Sequence, residues 1–280
     1  MKYVLAVSGG VDSIVLLDMF IRHLPVSRLI VAHFDHGTRD TSGDDAVFVE
    51  TLAKGYGCAY VGRREELGAG VSEAQARKRR YAFLHTVARE AGARLVVAHH
   101  LDDLVETVAL QLQRGTGWRG LTPFGQNVDR PLLSMTKQDI MQYAAEHTLL
   151  WREDETNQSD AYARNRIRPD VARLPIDIKR QIEALYMHQW VLRTEIEQDI
   201  LELLPILGAD GVYERKVVEA LPLTVQLEVF RELTHQKLTR PQRMRCIEAN
   251  QTMRSGAILQ AGAGVEIHFT SGTFTVKLLK

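Results

Sequence analysis

The first apolar run, Tyr3-Val4-Leu5-Ala6-Val7, contains no charged residue, and three largely apolar runs follow it at Leu29–Phe34, Ala59–Gly62 and Leu95–Ala98. Continuous runs of this length read as strands covered on both faces, as in a parallel sheet; a strand with one wet face alternates instead. Helical spacing of apolar residues fills the gaps, near Val11–Leu24, Ser42–Tyr56, Ser72–Gly92 and Leu101–Arg114. Thr41 or Ser42 is suited to cap the second helix, and Ser72 the third with Glu73 in its first turn. This alternation predicts an α/β fold with a doubly wound parallel sheet, whose ligands bind at the carboxyl ends of the strands.

The pattern then loosens. Gly115–Arg130 is loop-like, Pro131-Leu132-Leu133 predicts a last short strand, and a helix is expected near Thr136–His147. Leu150–Asp170 is polar, holds Asp154, Asn157 and a basic cluster, and is punctuated by Pro169 and Pro175. Beyond Asp177, Ile182, Leu185, Leu192, Ile196, Ile200 and Leu203 trace one long amphipathic helix. Helices near Leu223–Leu238 and Pro241–Gln251 come next. Val265–Phe269 and Phe274–Leu278 alternate around Ser271-Gly272, which predicts a terminal β-hairpin. The expected organisation is a catalytic domain over 1–175 and a second, mainly helical domain over 176–280 that ends in the hairpin.

Composition narrows this little. The 280 residues carry 35 basic and 35 acidic side chains, so a uniformly cationic nucleic-acid binder is excluded but local basic patches are not. Cys58 and Cys246 make neither a disulfide framework nor a CxxC pair. The chain enters a strand at once, with no leader-like or membrane-length apolar stretch, so a cytoplasmic protein without a membrane partner is expected. The sequence sets no oligomeric state, and a homodimer is compatible with it.

Chemistry concentrates in two places. Ser8-Gly9-Gly10-Val11-Asp12-Ser13 joins the first strand to the first helix. Helix N-terminal amides and the positive end of the dipole make such a turn an anion site. It lacks the Gly-Lys-Ser/Thr ending of a Walker loop and the Gly-x-Gly-x-x-Gly of a dinucleotide fold. Asp12 beside phosphate implies an intervening divalent cation, Mg²⁺. After the fourth strand comes His99-His100-Leu101-Asp102-Asp103-Leu104-Val105-Glu106-Thr107. Asp103, Glu106 and Thr107 share one helix face, where two carboxylates suit an ammonium group or a metal; the alternative is that they merely offset the helix dipole. Asp35, in Asp35-His36-Gly37, ends the second strand and is read as a metal ligand or proton carrier, or else as a turn cap. Arg114 to Leu121, with Trp118, and Arg164-Asn165-Arg166-Ile167-Arg168 are suited to stacking on a base and holding phosphate.

Taken together, these motifs resemble the tRNA-isoleucine lysidine synthetases of the N-type ATP pyrophosphatase superfamily. The elements are Ser8–Ser13, Asp35-His36-Gly37, Ala76-Arg77 with Arg80-Tyr81, and His99-His100-x-x-Asp103-x-x-Glu106-Thr107. Arg114-Gly115-x-Gly117, Gly120-Leu121, Arg130-Pro131-Leu132-Leu133, Asp154-x-x-Asn157 and Arg164-Asn165-x-Ile167-Arg168 complete the series. The resemblance implies that ATP adenylates C2–O of the wobble cytidine in a CAU-anticodon tRNA(Ile), and that L-lysine then displaces AMP. It implies that Ser8, Gly9, Gly10, Val11, Asp12 and Ser13 hold the nucleotide, with Asp12 and Asp35 on Mg²⁺. Asp35, Asp103 and Glu106 would be catalytic, and His99, His100, Thr107, Arg114, Arg164, Asn165 and Arg168 would bind substrate. The chain resembles a short form without the further C-terminal domain of many relatives. The rival readings are a tRNA thiolase, a small-molecule amidotransferase or synthetase of the same superfamily, and a non-catalytic nucleotide-binding regulator.

Overall fold

A computed structural model of the chain describes residues 1–37, 42–66, 71–125, 127–152 and 163–279. The expectations for Thr41, Asp154 and Asn157 lie outside these, as do the side chains of Ser42, Glu73, Arg164 and Asn165. The chain divides into two compact units, Met1–Gln189 and Trp190–Lys280.

In the first unit, β1 (Lys2–Ala6), β2 (Leu29–Asp35), β3 (Ala59–Arg64) and β4 (Ala93–Val96) form a four-stranded parallel sheet in the order β3-β2-β1-β4. Helices α1 (Val11–His23), α2 (Ser42–Gly55), α3 (Glu73–Glu90) and α4 (Leu101–Gln113) follow the four strands in turn. Successive side chains of β1 point to opposite faces, so Leu5 joins one core and Val4 the other. Leu5 packs with Val31 and Val96 against Val15 and Leu16 of α1, Val49 of α2, and Ile140 and Ala144 of α5 (Lys137–Glu146). Val4 packs with Ala32 and Leu95 against Phe83, Leu84 and Val87 of α3. Both faces of β1 are covered at these positions, whereas the edge strand β3 is largely exposed, against the expectation of strands covered on both faces. Each such buried aliphatic side chain contributes about 1.5–3 kcal/mol. Ser72 caps α3 as expected, its Oγ accepting from the Gln75 amide at 3.3 Å.

Two local expectations are corrected. Pro131-Leu132-Leu133 is a turn, not a strand; the sheet gains only a single parallel bridge, Val96 to Asp129, while Leu132 is buried beneath it. Pro169 does not end its segment but lies inside α6 (Ala163–Arg173). Proline removes one donor yet holds a φ that a helix accepts.

Helix α7 (Ile176–Leu207) extends past both ends of the predicted amphipathic stretch, and its first turns belong to the first unit. In the second unit, α8 (Arg215–Glu219), α9 (Leu223–Leu233) and α10 (Arg240–Thr252) accompany β5 (Gly208–Ala209), β6 (Val212–Glu214), β7 (Ile258–Gly262), β8 (Val265–Phe269) and β9 (Thr273–Leu278). The expected hairpin is β8–β9, but it is the middle of a five-stranded antiparallel sheet ordered β5-β6-β9-β8-β7. Phe230, Phe269 and Phe274 lie at the centre of that unit's core. Helix α9 stops short of the predicted Leu238, because His235 and Gln236 adopt left-handed backbone (φ 50° and 63°).

Candidate active site

Strand order reverses between β1 and β4, so the crevice beyond their carboxyl ends is the expected ligand site. The Ser8–Ser13 turn leaves β1 there, and His99-His100 leave β4. Gly9 has φ 98°, a conformation closed to other residues, which gives this turn its shape. Ser13 Oγ is the turn's internal anchor: it accepts from the amides of Ser8 (3.1 Å) and Gly9 (3.2 Å) and donates to Gly10 O (2.8 Å). In the first turn of α1 the Ser13 amide donates to Gly10 O at 3.0 Å, which leaves the amides of Val11 and Asp12 as the helix N-terminal donors suited to an anion.

His100 is the N-cap of α4, its amide donating to Asp103 Oδ2 at 3.1 Å. Its buried imidazole stands among three carboxylates: Nε2 lies 3.5 Å from Asp103 Oδ2 and 3.9 Å from Asp12 Oδ1, and Nδ1 lies 3.7 Å from Asp102 Oδ2. The phosphate turn and the first turn of α4 are therefore neighbours. One helical turn further, Glu106 is buried and its Oε1 accepts from Arg168 Nε at 3.2 Å. Arg168, expected on the nucleotide, thus meets the second carboxylate of the ammonium face. Thr107 Oγ1 donates back to Asp103 O at 2.6 Å.

Asp35 ends β2, where the amide of Gly37 donates to its Oδ1 at 2.8 Å. Its buried Oδ2 has no hydrogen-bond partner among the described residues, and the Arg64 guanidinium is 3.5 Å away. His99 lies in a layered stack, its ring parallel to Phe124 at 5.1 Å, with Arg130 over the other ring at 4.6 Å. Arg130 Nε donates to His99 Nδ1 at 3.2 Å, and burial lowers the imidazole from 6.5 to about 3. Arg114 is exposed just beyond α4, and the Arg119 guanidinium covers the Trp118 ring at 4.4 Å.

Sequence reasoning missed Lys137, Asp102 and Lys179. Lys137 Nζ is 2.6 Å from Asp12 Oδ1, across 125 residues of sequence. Asp102 is buried and accepts from the Lys137 amide (2.7 Å) and from Lys179 Nζ (2.5 Å). No local pattern marks these residues, since each partner comes from a different element.

The PP-loop domain family matches residues 1–174. The chain belongs to this family. Among similar proteins, this PP-loop chain is 39% identical over 186 residues to a tRNA(Ile)-lysidine synthase of Haemophilus ducreyi, covering 63% of the chain and 42% of that protein. It is 43% identical over 173 residues to the tRNA(Ile)-lysidine synthase of Thermus thermophilus, covering 59% and 34%. That of Exiguobacterium sibiricum is 33% identical over 240 residues, covering 81% and 57%. The PP-loop chain thus spans less than two thirds of the length of each of these relatives. Among solved structures, the U34-tRNA thiolase NcsA from Methanococcus maripaludis with its [4Fe-4S] cluster superposes with a TM-score of 0.54 at 18% identity, covering 69% of this chain and 72% of that one. That likeness supports the PP-loop fold. Among the described residues no helix is long and apolar enough to cross a membrane.

Proposed function

We propose that this chain ligates L-lysine to C2 of the wobble cytidine in a CAU-anticodon tRNA(Ile), through an adenylated cytidine, releasing pyrophosphate and AMP. The observation that carries the reading is the meeting of the phosphate turn with Asp103 around His100 at the strand-order reversal. An anion cradle and a carboxylate for an ammonium group lie side by side there. The names of the similar proteins agree with this reading.

In the first step, the cytidine O2 attacks the α-phosphorus and the bond to the β-phosphate oxygen breaks, the electron pair leaving with pyrophosphate. The amides of Val11 and Asp12 at the start of α1 and the helix dipole hold the anion throughout. In the second, the lysine ε-nitrogen attacks C2 and the C2–O bond to AMP breaks. Asp103 and Glu106 bind the lysine as ammonium. The amine must lose a proton before it attacks, and Asp103 accepts it.

The donor set fits Mg²⁺: Asp12 supplies an accessible carboxylate and Asp35 a buried oxygen without a hydrogen-bond partner among the described residues. Magnesium usually takes one or two protein carboxylates and completes its shell with phosphate oxygens and water. Bound there, it would neutralise phosphate charge. Residues 1–175 would perform the chemistry and 176–280 would hold tRNA, with Arg114, Arg164 and Asn165 toward the nucleotide or cytidine and Arg168 on Glu106. These substrates place the reaction in the cytoplasm. The thiolase reading is disfavoured because Cys58 and Cys246 are buried in separate units.

The test is incorporation of radiolabelled lysine into tRNA with ATP. Incorporation that requires the CAU anticodon and matches AMP formed is expected; incorporation indifferent to the anticodon, or none, would overturn the assignment.

A further inference from the structure

The phosphate turn contains no lysine, and its surroundings are acidic: Asp12, Asp102 and Asp103 all approach His100. A nucleotide triphosphate entering here adds several negative charges. A cation from another part of the chain reaches this turn. Lys137 Nζ sits 2.6 Å from Asp12 Oδ1, with its side chain 45% exposed.

The root of that side chain is fixed while its head is not. The Lys137 amide donates to Asp102 Oδ2, and the other oxygen of Asp102 is held by the buried ammonium of Lys179. Ahead of it, Thr136 and Asp139 form a reciprocal capping box: Thr136 Oγ1 accepts from the Asp139 amide at 3.1 Å, and Asp139 Oδ2 accepts from the Thr136 amide at 2.8 Å. A lysine anchored in this way can swing its ammonium a few ångströms without moving the helix.

We propose that Lys137 is the phosphate-binding cation of this loop. It leaves Asp12 Oδ1 as the nucleotide arrives and donates to non-bridging oxygens of the pyrophosphate portion. Asp102 and Lys179 are its positioning residues. The proposal rests on the adenylation reading and deepens it. As the bond from the α-phosphorus to the β-phosphate oxygen breaks, the departing pyrophosphate takes the electron pair, and an ammonium opposes that charge where a Walker loop would use its own lysine. The move also releases the Asp12 carboxylate for magnesium.

A lysine that merely neutralises Asp12 makes the opposite prediction, since its removal would free Asp12 and leave magnesium-nucleotide binding unchanged or tighter. Calorimetry with magnesium-ATP, magnesium-pyrophosphate and AMP separates the two. Lys137→Met should weaken ATP and pyrophosphate binding by about ten- to a hundredfold, the loss expected for a charged hydrogen bond, and leave AMP affinity unchanged. Lys137→Arg should retain most of the affinity and, with thermal unfolding, serves as the control for folding. The loss should persist when Lys137→Met is made in an Asp12→Asn background. Wild-type-like or tighter pyrophosphate binding by Lys137→Met, or a loss that vanishes in that background, overturns this proposal alone. A wild-type protein that binds no magnesium-ATP overturns the adenylation reading and this one with it.

Discussion

Asp103 combines two tasks that a single substitution can separate. Its Oδ2 accepts from the His100 amide at the start of α4, and its charge faces the proposed ammonium site. Asparagine keeps an acceptor for the cap and loses the charge. Asp103→Asn should therefore leave ATP affinity and melting temperature near wild type while lysine transfer falls at least about a hundredfold at subsaturating lysine, in line with loss of a general base. Unchanged transfer would remove its assigned role. His99 carries a pH prediction. Burial, reinforced by Arg77, Arg130 and Arg80, lowers its imidazole to about 3, against an opposing pull from Asp103. The unfolded chain's imidazole takes a proton below about pH 6.5, whereas the folded one stays neutral down to about pH 3. The unfolded state thus binds more protons across that window, so stability rises with pH and is lost on acidification. His99→Gln should flatten the dependence by up to about 1.4 kcal/mol per pH unit, as urea unfolding between about pH 4.5 and pH 6.5 would show. The histidine's place in the motif that opens α4 was legible; its neutrality was not, because burial and the Arg130 guanidinium come from outside the motif.

Among the elements, the first turns of α7, which belong to the first unit, are held within it by a buried pair. Lys179 and Asp102 are about nine-tenths buried, and Asp102 also holds the amide that opens α5. Removing one member of such a pair strands the other charge. Lys179→Met should cost about 3–5 kcal/mol in chemical denaturation, and adding Asp102→Asn should restore part of it. Additive losses would show that the two side chains do not interact. The strands, helices and caps of the first unit were largely legible, because periodicity and capping chemistry are local. The misses also have local reasons. β5 and β6 span two and three residues, too short to show alternation, and β7 carries Gln260 and Gly262 with a register shift between them. Pro169 was read as punctuation because a prediction weighs its missing donor and not the helix around it.

Across the whole molecule, each unit carries one thiol in its core: Cys58 packs in the first and Cys246 in the second. Burial raises both thiols, that of Cys246 to about 11. Neither should react with a thiol reagent near neutral pH until its own unit opens. Pulse labelling read by mass spectrometry should find each at least about a hundredfold slower than in urea-unfolded chain, as expected for core positions. Rapid labelling of native Cys246 would contradict the packing of the second unit. The chain by itself determined the glycine-rich turn between β1 and α1, the apolar runs that become parallel strands, and the carboxylates three residues apart on α4, since these follow from spacing along a few adjacent residues. Only the tertiary structure set Lys137 on Asp12, Lys179 on Asp102 and Arg168 on Glu106. Those pairs join residues far apart in sequence, and they meet through helix packing that no local spacing records: α5 lies against α1 and α6 against α4.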